Sequence, residues 1–434
     1  MSKSSSIRSD WSTGSAPTDR PDQGLLPEIL PAKRSIASVL LIGSFARPLL
    51  AFARSAHRLG VKPYLIELSR GRPMWSKYSR CLTGGTCLNP DLVGTDAGIA
   101  FIKNYARVVG ADALICDNDC PPAWISDHRF QFEPDTIVMV TSSQSMETLR
   151  CKTHQLDLAK RVGFDVLPTY IIRSVEDCTA VPKEAYPICL RPSIAKRIQP
   201  PFKAIVLTSP DQLRAFLSSR TNLEGGIVAQ PFLNAPNLLV HGVRSRSGEM
   251  VSLKCFLVDR KFEGIALSLT MMAMPSGLSD LCRRFAEQAD VTACFHFDLL
   301  YSTSDGKIYF LEINDRPGGT TDMVYKLAYD EFQYTLAAHG LVARAERRLK
   351  SPTARRVANK RVLLKYIWST FRRRLTDLDY PRATPLDRLT SSLRELVLAT
   401  DSVFDWQDLR GSRWYHSRIS QHLQLLRPSE RELK

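Results

Sequence analysis

The sequence predicts an α/β and α+β protein: an N-terminal Rossmann-like domain, then two α+β lobes, then a basic, mainly helical C-terminal extension. Three observations predict it. Ile36–Ile42 is an apolar run of the buried-strand type, Gly43-Ser44 turns the chain, Pro48–Leu59 has helical spacing, and Val61–Leu68 is a second strand. That β-turn-α-β opening belongs to a doubly wound sheet. Further on, His241–Arg244, Val251–Val258 and Ile265–Met272 read as antiparallel strands that lead to a hairpin over residues 295–313. Finally, residues 341–434 hold 21 Lys and Arg against 10 Asp and Glu, so +11 of the net +15 lies there. The boundaries follow: a disordered leader over 1–34, the Rossmann-like domain over 35–140, the paired lobes over 141–335 and the extension over 336–434.

A chain of 434 residues is long enough for two to three domains with their own cores. No apolar run approaches the ~20 residues of a membrane span, and the polar N-terminus has no apolar signal segment. Ten cysteines are scattered without a CxxC pair, which fits reduced thiols in a cytoplasmic protein and argues against zinc.

Taken in order, Ala97–Val109 reads as a helix and Ala113–Cys116 as a strand, with Asp117 and Asp119 beyond its carboxyl end as either substrate contacts or a solvated turn. Ser142–Val162 reads as one helix that Gly163 ends. Val166–Ile172 is a strand, and Tyr186–Ser193 leads into a glycine-free loop, Ser193–Pro201, that carries Lys196 and Arg197. Asp211–Ser218 is a helix capped by Ser209. Gly226–Leu233 is a strand, Leu278–Asp290 a helix, and Met323 to Gly340 a helix that packs back on the lobes. Arg244, Lys254 and Lys261 are strand cations that either face a site or are solvated.

The hairpin carries the chemistry. Phe295, Phe297 and Leu299 alternate with His296, Asp298 and Leu300; Ser304–Lys307 supplies the turn; Tyr309, Leu311 and Ile313 alternate with Ile308, Phe310 and Glu312. Asp298 opposes Glu312 and Asn314 within apolar strands. Burying those carboxylates is costly without a cation between them. Hard oxygen donors in so small a set suit Mg²⁺, which keeps waters and shares phosphate oxygens.

This constellation resembles the ATP-grasp superfamily, and within it the carboxylate–amine ligases. Their metal strand, Glu-Ile-Asn-x-Arg-x-Gly-Gly, is matched by Glu312, Ile313, Asn314, Arg316, Gly318 and Gly319, and Asp298 fills the upstream acidic position. The resemblance covers residues 36–335 and is strongest over 145–320. It implies metal ligands Asp298, Glu312 and Asn314 for Mg²⁺, with Mn²⁺ as an alternative. It implies Lys152 and Arg191 on the ATP phosphates, although the family has lysine at the second position. Gln230 and Leu233 fall on the hinge that reads adenine, where Pro231 departs from the pattern; Asn237 is the ribose candidate. Arg316 would hold the substrate carboxylate or its acyl-phosphate.

The implied activity joins a carboxylate to an amine through an acyl-phosphate, releasing ADP and phosphate. Small-molecule carboxylate and amine substrates are then the expected partners, and a homodimer is common in this superfamily. The alternative is a nucleotide-binding module that regulates or docks without turnover. The basic extension, whose cations run from Arg344 to Arg374, reads as a helical cap on the catalytic body, or as a contact for an anionic membrane surface or nucleic acid. A nicotinamide-linked oxidoreductase is disfavoured, because the first turn lacks GxGxxG.

Overall fold

The structure, a computed structural model, describes residues 34–44, 47–71, 78–117, 122–195, 197–343 and 354–413. The leader as far as residue 33, Asp119, Lys196, the basic run Arg344–Lys350 and Trp414 lie outside the described residues. The described residues form a mixed α/β protein with a parallel sheet, a small antiparallel sheet, a larger sheet that is antiparallel except at one edge, and a two-stranded parallel pair.

The first strand, β1 (Arg34–Ile36), pairs with a strand far along the chain. Then β2 (Ser38–Gly43), β3 (Lys62–Leu68), β4 (Gly84–Leu88), β5 (Ala113–Cys116) and β6 (Ile137–Val138) form a parallel sheet in the order β4-β3-β2-β5-β6. The strand order reverses between β2 and β5, as in a doubly wound fold. At that point the backbone of Gly43 comes so close to Asp117 that a Cβ would lie 2.1 Å from Oδ1. Ser44 N–H donates to Asp117 Oδ2 at 3.2 Å. Asp117 is thus a buried latch on the turn and is not solvated.

The predicted helix over Ser142–Val162 is two helices, Ser143–Arg150 and Lys152–Val162, broken at an extended Cys151. Tertiary bonds hold the break. Lys152 N–H donates to Ser193 O at 2.9 Å, and Gln155 Nε2 donates to Leu149 O, a carbonyl the helix leaves open. An antiparallel sheet of order β7-β10-β8-β9 follows, made of β7 (Tyr170–Ile172), β8 (Ile188–Pro192), β9 (Ile205–Leu207) and β10 (Ile227–Pro231). β7 is shorter than predicted, since Pro168 has no N–H for a ladder. Ser209 caps the helix Pro210–Ser218 as predicted, accepting from Gln212 N–H at 3.3 Å.

The large sheet holds β11 (Asn237–Arg244), β12 (Met250–Phe262), β13 (Ile265–Met272), β14 (Ala293–Tyr301) and β15 (Ile308–Asn314). Leu278–Gln288 packs on it, with Phe285 against Phe164, Phe297 and Phe310 in one aromatic core. The predicted helix from Met323 is again two, Thr321–Lys326 and Glu331–Ala338. Ala328, with φ of 62°, turns the chain between them, and Asp330 caps the second by accepting from Gln333 N–H at 3.2 Å. β16 (Leu341–Ala343) closes the two-stranded pair with β1.

The extension is not helices alone. β17 (Arg356–Ala358) and β18 (Thr400–Asp401) lengthen the large sheet, whose order is β15-β14-β11-β12-β13-β17-β18. Between them run the helices Lys360–Phe371 and Pro385–Leu398, which bury Leu363 and Tyr366 near Phe262. Two buried ion pairs secure it, Arg260–Glu395 at 2.9 Å and Arg54–Asp408 at 3.0 Å. The described part therefore docks as a cap. No described helix is long and apolar enough to cross a membrane, and nothing in the described residues supports contact with a membrane or nucleic acid.

Candidate active site

β14 and β15 bring the carboxylates together. In register, Asp298 stands opposite Glu312, and His296 opposite Asn314. The strict alternation predicted for the return strand fails at Leu311. The register shifts after Asp298, and Phe310 and Ile313 both turn to the core. Such a bulge re-aims side chains, and here Glu312 and Asn314 still share the face of Asp298. Asn314 Nδ2 donates to Asp298 Oδ2 at 3.3 Å, and Arg316 Nη2 donates to Asn314 Oδ1 at 3.4 Å.

Two cations meet this edge, Lys152 from a helix and Arg191 from the smaller antiparallel sheet. The break at Cys151 puts Lys152 at the start of its helix, with Nζ 3.0 Å from Glu312 Oε2. Arg191 on β8 lies 3.9 Å from the same oxygen. It donates to Gln230 Oε1 at 2.7 Å, and Gln230 in turn donates to Thr169 Oγ1 at 2.9 Å. Burial raises the Asp298 carboxyl to about 6, with the Glu312 charge adding to the effect. Burial also acts upward on Glu312, but Lys152 and Arg191 outweigh it and hold that carboxyl low. The edge therefore keeps one firmly ionised carboxylate beside one that gains from a further cation.

A cavity of about 140 Å³ opens beside Asp298. Arg47, Lys203, Lys261, His296, Gly319 and Thr320 line it, together with Asn237. Lys261 Nζ donates to Asn237 Oδ1 at 3.0 Å and to Ala235 O at 2.7 Å. Burial lowers its ammonium to about 8, against the opposing pull of Asp298. Of the three strand cations, Lys261 reaches the cavity. Arg244 instead bonds Gly248 O, Val291 O and Asp290 at the far end of β11. Gly318 is required by close approach: a Cβ there would lie 2.7 Å from the His296 ring.

Leu233 is half-buried on the turn after β10, where Phe232 N–H donates to Pro187 O at 2.7 Å. The extension reaches this turn. Asn234 Nδ2 donates to Asp377 O and Asp379 O, both at 3.1 Å, and the Arg382 guanidinium lies 5.5 Å from the Phe232 ring centre. Arg197 of the glycine-free loop forms a surface pair with Glu224 at 3.0 Å.

Both candidate metal carboxylates and the amide are hard oxygen donors, and among the described residues no three His, Cys, Asp or Glu side chains form a self-sufficient metal cage. A set of that size fits Mg²⁺ shared with phosphate oxygens.

Comparison with solved structures decides the fold. The ADP complex of an N5-carboxyaminoimidazole ribonucleotide synthetase superposes with a TM-score of 0.59 at 13% identity, over 85% of this chain and 97% of that one. The chain has an ATP-grasp fold. The biotin carboxylase domain of 2-oxoglutarate carboxylase from Hydrogenobacter thermophilus, a dimer in complex with MgADP, ADP and bicarbonate, matches with a TM-score of 0.54 at 14% identity, over 73% and 72% of the chains. An L-amino acid ligase from Bacillus licheniformis matches with 0.54 at 14%, over 70% and 75%. No family model and no curated protein matches the sequence.

The ATP-grasp reading of the sequence therefore named the hairpin donors, Lys152, Arg191 and Gln230, which converge. It passed over His241, Thr320, Glu331, Arg47 and Lys203. His296 was legible as a polar residue on the Asp298 face of its strand. His241 gave only the signal of a lone histidine in an apolar run, and strand pairing, not spacing, sets it opposite His296.

Proposed function

We propose that the chain is an ATP-dependent, ADP-forming ligase that activates a carboxylate as an acyl-phosphate and joins it to an amine. One observation carries the reading: Asp298 and Glu312 lie in register with Asn314 beside them, and Lys152, from a helix, and Arg191, from the other sheet, meet that edge. Mg²⁺ held by Asp298, Glu312 and Asn314 would supply positive charge shared among the phosphate oxygens. Lys152 and Arg191 neutralise the charge that develops as the γ-phosphoryl group moves to the carboxylate. The Arg316 guanidinium, fixed on Asn314, presents a planar fork to the substrate carboxylate and then to the acyl-phosphate. Gln230, Leu233 and Asn237 are the proposed adenosine contacts. No protein nucleophile is required. The nine described cysteines are free thiols, which supports a reducing, cytoplasmic setting.

Thermal unfolding of the wild type and Glu312→Gln, each with and without Mg-ATP, tests the site. Mg-ATP at a hundred times its Kd should stabilise the wild type by about 2.7 kcal/mol and Glu312→Gln much less. Equal stabilisation of both proteins would remove Glu312 from the site. Stabilisation without ADP release from a pool of carboxylates and amines would favour the nucleotide-binding module over the ligase.

A further inference from the structure

We infer that Glu331, His241 and Thr320 form a proton relay on the acceptor side of the cavity, with Thr320 taking the proton released when the amine attacks. The inference rests on the ligase reading and deepens it. His241 on β11 is fully buried, and its Nδ1 bonds a Glu331 carboxylate oxygen. Its Nε2 is 3.1 Å from Thr320 Oγ1. The other Glu331 oxygen accepts from Thr321 Oγ1 at 2.6 Å. Thr320 lines the cavity with Asp298, His296 and Gly319. The chain of bonds therefore starts at a buried carboxylate and ends at Thr320, a residue of the cavity wall.

The proton positions follow from what each atom can do. A carboxylate accepts and does not donate, so Nδ1 carries the hydrogen of that bond. The relay has Nε2 as the acceptor for the Thr320 hydroxyl. Carboxylate, imidazole and hydroxyl in line is the arrangement by which an orienting acid fixes a histidine and a histidine activates a hydroxyl. In the capture step the amine lone pair forms the C–N bond, and the bond from the acyl carbon to the phosphate oxygen breaks, with phosphate leaving on its electron pair. A proton passes from nitrogen to Thr320 Oγ1 as the hydroxyl proton moves to His241 Nε2. Glu331 stabilises the resulting imidazolium, which returns its proton as products leave. His241 and Glu331 are positioning residues; Thr320 is the one that touches substrate.

A buried His–Glu pair is a costly way merely to pin a helix, because well-packed apolar residues do that at least as well. The groups facing His241 are known. His296 stacks on it at 5.2 Å, Phe256 and Tyr329 pack edge-on at 5.6 and 6.2 Å, and Lys254 is its register neighbour on β12. Asp298 lies beyond His296, whose Nε2 is 3.9 Å from Asp298 Oδ2.

Two measurements on the full chain test the relay. Correlation spectra of ¹⁵N-histidine protein should show His241 as the neutral Nδ1–H tautomer, with an Nε2 resonance that moves in Thr320→Val. An Nε2–H tautomer would overturn the relay. The second measurement uses Mg-ATP and the twenty amino acids, with hydroxylamine as an alternative acceptor whose weakly basic nitrogen, once it has attacked, gives its proton to water with less need of a base. In Thr320→Val, amide formation should fall about 10- to 100-fold further than hydroxamate formation. The remaining amide formation should rise more steeply with pH, and Thr320→Ser should restore it. Equal loss of both products would make Thr320 structural. A wild type that forms neither sinks the ligase reading, while the tautomer still decides the hydrogen-bond chain.

Discussion

Arg54–Asp408 and Lys152–Glu312 are ion pairs of the same length, 3.0 Å, built for different purposes. Around Asp408 every donor is committed. It also accepts from Ser79 Oγ at 2.7 Å, Arg80 N–H at 3.1 Å and Gly411 N–H at 3.0 Å, while Arg54 donates to Val403 O at 2.8 Å and Ser412 Oγ at 3.2 Å. Its side chains are 4% and 1% exposed. At Glu312 the side chains are 19% and 26% exposed, and a second cation, Arg191, waits at 3.9 Å without direct contact. A saturated pair holds two segments together. An unsaturated pair beside a cavity keeps charge in reserve for a ligand.

The largest effect should come from breaking the saturated pair. Asp408→Ala leaves Arg54 buried without its counter-charge, and should cost about 3–5 kcal/mol by denaturant unfolding. The stabilisation by Mg-ATP should persist, because neither residue is near the carboxylate edge. A variant with an unchanged midpoint would show that the extension is not held where the comparison puts its anchor.

Asp330 is a buried carboxylate without a cation in contact. Burial raises it to about 6, although Ser55 Oγ donates to it at 2.6 Å. The folded state then binds more protons than the unfolded state between about pH 4 and 6. The contribution of the protonated acid is full below the unfolded value and is lost as pH rises through 6. Asp330→Asn keeps the helix cap and removes the titration. Its stability relative to wild type should therefore climb from pH 4 to 6.5, by up to about 3 kcal/mol. A flat difference across that range would mean that Asp330 has the same acidity folded and unfolded.

What the sequence disclosed divides along the same line as the ion pairs. The donors on β14 and β15 are about fourteen to sixteen residues apart across one local turn, so alternation sufficed to oppose Asp298 to Glu312. The bulge at Leu311 was invisible, because a bulge is set by partner strand and core, not by residue type. Lys152 was named, but its exposure to the site depends on a helix break at Cys151, held by Ser193 some forty residues away. The relay of His241, Thr320 and Glu331 and the Arg54–Asp408 anchor are long-range pairings that no periodicity announces. Likewise, Arg356–Ala358 has little strand signature of its own, and joins the large sheet because β13 offers it an edge.

The smallest effect should come from Arg191, where the family pattern has lysine. Arg191 donates to Gln230 Oε1 at 2.7 Å and stays 3.9 Å from Glu312. Lysine is a compact point charge with no planar fork. Arg191→Lys should therefore lose the Gln230 bond and keep a cation near the phosphates. The lost bond is an ordinary one with a charged donor, worth about 1.5–3 kcal/mol at most, and Gln230 keeps its bond to Thr169. The unfolding midpoint should move by less than about 1 kcal/mol, and the Kd for Mg-ATP by less than about tenfold, read from a titration of thermal shift against nucleotide. A far larger loss of affinity would mean that the arginine fork itself grips the nucleotide, and that Glu312 and its cations hold less charge in reserve than their spacing implies.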